Sequence, residues 1–201
     1  VRVLLLGDDL LAQMSSRFCL DTWVKDVASF KMVLKAKAPS TDGGATFLSR
    51  RIFANVDKPC MIPLLGKMLA RFNIRASSNE DCTDSAYMAG KSLSYAYECR
   101  HVPFIRDFFL RRYAMEEDAK DVQLQDLTWF ARTSGLGVTD LVKAIHDEQV
   151  LIGDWDFGAW VCTQYDCDLE DVRELFEATV CDPEAKILDL PYLANFSCDL
   201  G

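Results

Sequence analysis

The hydrophobic pattern changes rhythm near Pro59. Before that point, apolar residues come in short runs. Val1–Leu6 and Leu10–Ala12 are too short for helices and flank Gly7, Asp8 and Asp9, which predicts a β-hairpin bending at the Gly-Asp-Asp turn. A helix is expected over about Ser15–Ser29. Lys31–Lys37 alternates charged and apolar residues in its first part and predicts a short strand. Pro39–Gly44 is a turn cluster, and TFLSRRIFANV (46–56) reads as a strand or a hairpin turning near Asn55–Lys58.

From Pro59 onward the spacing becomes helical. Pro63–Phe72 places Leu64, Leu65, Met68, Leu69 and Phe72 on one face, with Lys67 and Arg71 on another. Thr83–Cys99 repeats Ala86, Gly90, Leu93 and Tyr97, and Pro103 stands where a first helical turn tolerates proline. Further helices are expected over Asp121–Thr133, over a Thr139-capped stretch with Val138, Leu141, Val142 and Ile145, and over Leu169–Val180. The end of the chain, DLPYLANFSCDLG, reads as an irregular tail packed by its aromatics. The fold class is therefore α+β, a small antiparallel sheet followed by a mostly helical subdomain, divided into residues 1–58 and 59–201.

Composition narrows the setting. The chain has 201 residues and is 50% hydrophobic, enough for a real core in one or two domains. Its first residues read as a buried strand with no leader before it, so a fragment of a longer chain is expected. No apolar run approaches the ~20 residues that span a bilayer, and a soluble fragment is expected. The eight cysteines are scattered without paired spacing, which points to reduced thiols, and with two histidines and no Cys-x-x-Cys a structural zinc site is set aside. The net charge of −9 hides an asymmetry: residues 1–113 carry 17 Lys+Arg against 11 Asp+Glu (+6), residues 114–201 carry 5 against 20 (−15). Only the front half suits a polyanion.

Two adjacent carboxylates at a hairpin tip repel each other and resist desolvation. A divalent cation reverses that cost, because Mg²⁺ takes a few carboxylate oxygens and keeps positions open for phosphates. Gly7 lets the backbone turn there without a side chain crowding the ion.

These residues carry a resemblance. LLLGDDLL resembles motif C of the RNA-dependent RNA polymerases of positive-strand RNA viruses. After an intervening helix, ASFKMVLKAKAP resembles motif D and FLSRRIF resembles motif E, so the matched part covers about Val1–Phe53. PLLGKMLARFNIRA is similar to the start of the thumb in several such viral groups. The resemblance implies transfer of nucleotidyl groups from NTPs to an RNA 3′ hydroxyl. It makes Asp8 a ligand of the catalytic Mg²⁺ ions, with Mn²⁺ as an alternative, and Asp9 its supporting partner. Lys35 is implied as the general acid toward the departing pyrophosphate, with Lys31 and Lys37 as alternatives, since Phe30 stands about where the family has a glycine. Ser49, Arg50 and Arg51 are implied to hold the RNA 3′ end. Lys67 and Arg71, then Arg75, Lys91, Arg100, Arg106, Arg111 and Arg112, are candidates to line the duplex exit through sequence-independent phosphate contacts.

The partners implied are template and product RNA, NTPs, the remaining palm and fingers, and other replication proteins. The location implied is the host cytoplasm at a membrane-associated replication complex. Motifs A and B are expected outside this piece, which alone is expected to be inactive. DTWVKD (21–26) and SGLGVT (134–139) match parts of motifs A and B, but Lys143 stands where motif B needs Asn, and Asp21 and Asp26 fit the exposed face of a helix better. AGKS (89–92) lacks the earlier glycine of a phosphate loop and sits in a helical pattern. The alternative is a non-catalytic helical interaction module whose acidic half docks a basic partner and whose Gly-Asp-Asp is only a turn.

Overall fold

The computed structural model describes residues 2–6, 9–15, 17–34, 45–53, 59–75, 82–147, 152–182 and 192–200. Within them the chain is α+β. Strands β1 (Arg2–Leu6) and β2 (Asp9–Gln13) form an antiparallel ribbon, followed by helix α1 (Leu20–Ser29). Strands β3 (Ala45–Phe47), β4 (Arg50–Phe53) and β5 (Cys60–Pro63) form an antiparallel meander in that order, with β3 beside β2. The helical body follows: α2 (Leu65–Phe72), α3 (Asp84–Glu98), α4 (Pro103–Met115), α5 (Trp129–Thr133), α6 (Val138–Asp147), α7 (Asp154–Tyr165) and α8 (Leu169–Phe176). No described helix is long and apolar enough to cross a membrane.

Helix α3 is the axis of the body. The Thr83 hydroxyl accepts from the Ala86 N–H at its start, and small residues let neighbours approach from several sides. Gly90 is the tightest point, because a Cβ there would lie 2.6 Å from the Asp126 carbonyl oxygen. Helix α4 packs along α3, and Phe72, Tyr95, Phe109 and Phe176 interlock between α2, α3, α4 and α8. A second aromatic run, Phe53, Phe157, Trp160, Tyr165 and Phe196, joins the meander to α7 and the C-terminal turn. That turn, Leu193–Asp199, is a 3₁₀ helix rather than an irregular tail, and its Phe196 ring stacks on Tyr165 at 4.4 Å.

Several expected elements are redrawn. The helix after the ribbon starts at Leu20, not Ser15. Lys31–Leu34 carries no strand; Lys31 turns the chain with φ 61°, and the rest of that expected strand lies outside the described residues. TFLSRRIF turns within itself at Leu48–Ser49, and residues 54–58 between β4 and β5 lie outside the description. The sheet continues into Cys60–Pro63 before α2 begins at Leu65. Asp121–Thr133 is not one helix: the Gln123–Asp126 capping box closes a single 3₁₀ turn, and Thr128 then caps the separate α5. Thr139 lies inside α6 rather than capping it. Helix α8 ends at Phe176 in a wider π turn, Glu177–Cys181, that points Thr179, Val180 and Cys181 inward. Helix α7 is unanticipated, since exposed Trp155 and Asp156 interrupt its buried face of Phe157, Trp160, Val161 and Tyr165.

Candidate functional site

The ribbon register decides the first part of the site. Leu6 pairs with Asp9, so the connection between β1 and β2 is the two residues Gly7 and Asp8. These two lie outside the described residues, as does the Asp9 side chain; only the Asp9 backbone, at the start of β2, is described. Two-residue connections are the commonest between antiparallel strands and commonly contain Gly and Asp. The apolar arms are expected to be buried, but of their described side chains Leu5 is 62% exposed and Leu10 40%, while Leu11 and Ala12 are partly buried. Vicinal carboxylates are hard oxygen donors of the kind Mg²⁺ or Mn²⁺ takes, which is the fit that the sequence supplies. Among the described residues no group of three or more His, Cys, Asp or Glu is placed to hold a metal. Lys35 and Lys37 lie outside the description, and Lys31 is exposed after α1.

The second hairpin, β3–β4, is described throughout. Phe47 pairs with Arg50, and the intervening Leu48 and Ser49 have φ 53° and 57°. Both central residues of this two-residue turn are thus left-handed, a conformation usually given to Asn-Gly and costing a residue such as Leu or Ser about 1–2 kcal/mol. Such a turn persists where its surroundings over-determine it. The Leu64 N–H donates to the Ser49 carbonyl at 3.0 Å, and Lys67 Nζ donates to Ser49 Oγ at 2.9 Å. Ser49 and Lys67, 18 residues apart, are therefore brought together at one tip. Arg71 stands one turn beyond Lys67 on α2, exposed on the same side.

Arg50 and Arg51 turn away from that tip. Along β4 successive side chains alternate, and Arg51 is 5% exposed, its guanidinium 5.7 Å from the Phe53 ring centroid. Arg50 Nη2 donates to Glu98 Oε2 at 2.6 Å, with side-chain exposures of 13% and 4%, and its guanidinium lies 3.8 Å over the Phe130 ring. Burial pushes the Glu98 carboxyl upward, while the Arg50 charge and the Thr128 hydroxyl pull it back. The hairpin's first arginine is spent on the helical body.

Other candidate cations are engaged in the same way. Arg75 pairs with Asp84 and donates to the Cys82 carbonyl. Arg106 pairs with Asp107, Arg111 with Glu177, and Arg112 with Glu116. Arg100 lies over the Tyr97 ring and donates to its carbonyl. Lys91 is buried in the middle of α3, not in a phosphate loop, and donates to the Arg71 and Ile74 carbonyls at 2.6 and 2.5 Å, closing the end of α2. Asp21 and Asp26 lie on the exposed side of α1.

Sequence reasoning missed Glu98, Thr128 and Phe130. One signal was available: Gly90, Ser94 and Glu98 fall at i, i+4 and i+8, one stripe of α3. Gly90 meets Asp126, Ser94 Oγ accepts from the Thr128 N–H at 2.9 Å, and Glu98 Oε1 accepts from the Thr128 hydroxyl at 3.0 Å. No family model, curated protein or solved structure matches the chain.

Proposed function

We propose that this chain is the C-terminal part of the palm, with the thumb, of an RNA-dependent RNA polymerase of the positive-strand RNA virus type. Residues 1–58 supply the palm part and 59–201 the thumb and tail. One observation carries the reading: the ribbon register leaves Gly7–Asp8 as its connection with Asp9 opening β2, and the next hairpin, β3–β4, lies beside β2 with its turn strained and pinned. A surface turn followed by an unrelated helical module would share the Gly7–Asp8 connection but has no need of a strained, pinned hairpin beside it.

In this reading Asp8 and Asp9 hold Mg²⁺ or Mn²⁺, completed by acidic groups elsewhere in the polymerase. The ions, when bound, activate the RNA 3′ hydroxyl and stabilise the leaving oxygen. Lys35 Nζ, with Lys31 and Lys37 as the alternatives, gives a proton to the departing pyrophosphate. At the β3–β4 tip, Ser49 and Lys67 hold RNA phosphates near the 3′ end, and Arg71 extends the contact along α2. Arg50 and Arg51 support the hairpin from behind. Template RNA, product RNA and NTPs are the ligands, and the fingers and the rest of the palm are the partners within the same polymerase.

The coding RNA upstream of Val1 tests the reading directly. Asp-x4–5-Asp and then Ser-Gly-x3-Thr-x3-Asn are expected there in frame; an unrelated domain in that place overturns the assignment and favours the interaction module. In the whole polymerase, Asp8→Ala is expected to abolish RNA synthesis without lowering the melting temperature, and retained synthesis removes Asp8 from the metal site.

A further inference from the structure

The strained tip of β3–β4 has three anchors, and they differ in origin. Leu64 and Lys67 come from the chain just beyond β5, within 18 residues of Ser49. The third acts on Arg50, the residue after Ser49, and comes from Glu98, 48 residues away on the central helix of the body. Glu98 in turn receives the Thr128 hydroxyl, while Phe130 of α5 lies beneath the Arg50 guanidinium. One carboxylate therefore ties the hairpin to α3 and to the start of α5.

We infer that Glu98 is a positioning residue for RNA: through Arg50 it fixes the angle at which the Leu48–Ser49 tip and Lys67 meet the phosphate chain. The inference rests on the polymerase reading above. A buried ion pair is a poor device for stability alone, since an apolar pair of equal volume commonly does as well. Its value lies in geometry. The Arg50 Nη2 bond to Glu98 and the stacking of the planar guanidinium on Phe130 together restrict its orientation, whereas apolar contacts tolerate sliding. Arg50 directly follows the turn, so its anchoring leaves no flexible residue between clamp and tip. The division of labour follows: Arg50 carries position, while Lys67 and Ser49 carry contact.

The test is RNA extension by the whole polymerase, with the KM for primer–template RNA measured apart from the KM for NTP and from kcat. Glu98→Gln keeps the shape and the acceptor for Thr128 but removes the charge that orients Arg50. The RNA KM is expected to rise about 10- to 100-fold, as a displaced positioning group implies, with the NTP KM unchanged. In a double-mutant cycle with Lys67→Ala, the two effects on RNA KM are expected to be coupled. Additive effects would mean that Glu98 does not act through the tip. Should Glu98→Gln fail to fold, Arg50→Lys carries the test, since it keeps the charge and loses the planar face stacked on Phe130, and the same split is expected. A polymerase that extends RNA with unchanged RNA KM in these variants overturns the clamp alone. A wild-type polymerase that makes no RNA overturns the polymerase reading and the clamp with it.

Discussion

At the scale of single residues, the tightest points lie where two backbones meet at a glycine. Gly66, in the first turn of α2, lies against the C-terminal 3₁₀ turn so closely that a Cβ would fall 2.0 Å from the Phe196 carbonyl oxygen. The approach lets Asp199, itself buried, accept from the Gly66 N–H and from the Tyr165 hydroxyl, each at 2.8 Å, while the same hydroxyl accepts from the Leu65 N–H at 3.1 Å. A carboxylate and a hydroxyl thus satisfy the free N–H groups at the start of α2, where the helix dipole favours negative charge. Asp199→Ala leaves two buried donors without an acceptor, and a loss of about 3 kcal/mol is expected in urea unfolding. Tyr165→Phe is expected to cost less, about 1–2 kcal/mol, because the Asp199 bond to Gly66 survives. At Gly90 the clash is with the Asp126 backbone, which cannot rotate away, and Gly90→Ala is expected to cost about 1–3 kcal/mol by overpacking.

At the scale of elements, the β3–β4 turn holds the most informative strain. Two consecutive left-handed residues without Gly, Asn or Asp are costly, and Ser49 is the place to relieve that cost without removing a half-buried leucine. Ser49→Asn tolerates the left-handed conformation and offers Lys67 an amide oxygen, so a gain on the order of 1 kcal/mol is expected in thermal unfolding. Ser49→Val, β-branched and without an acceptor, is expected to lose about 2 kcal/mol or more. The same turn shows what was legible in the sequence. Helix α3 could be read because Thr83 is a good cap and apolar or small residues recur behind it, and α2 because its apolar positions keep one face. The turn could not be read, because Leu-Ser is not a sequence that hairpin turns announce. The pairing of Arg50 with Glu98 was equally hidden, since its two members lie 48 residues apart and meet only when α3 packs beneath the sheet. Arg50 and Arg51 looked like phosphate contacts because charge alone does not reveal which way a strand residue points.

At the scale of the molecule, charge and buried titratable groups act together. Of the acidic residues of 114–201, Asp140, Asp147, Asp154, Asp156, Glu170, Asp171 and Glu174 stand on α6, α7 and α8, and their field repels a polyanion from those helices. The interior meanwhile stores a dependence on alkaline pH. Burial raises the thiols of Cys99 and Cys181, and pushes those of Cys82 to about 11 and Cys167 to about 12, from an ordinary value of 9.0. Each group keeps its proton in the fold at a pH where the unfolded chain has released it, so its contribution is complete below about pH 9 and is lost as pH rises through the folded values. Lys91 works in the opposite sense: burial lowers it from 10.5 to about 8, so the folded chain binds fewer protons between those values and gains stability as pH rises through that window. The thiols outnumber the lysine and extend further up the scale. Urea unfolding under reducing conditions is therefore expected to show stability rising between pH 8 and 9, where Lys91 acts alone, and falling above 9, where the loss from the thiols exceeds its gain. Cys99→Ala is expected to lower stability at pH 7.5 and to flatten the decline above 9; a decline of unchanged slope would assign the alkaline loss to groups other than this thiol.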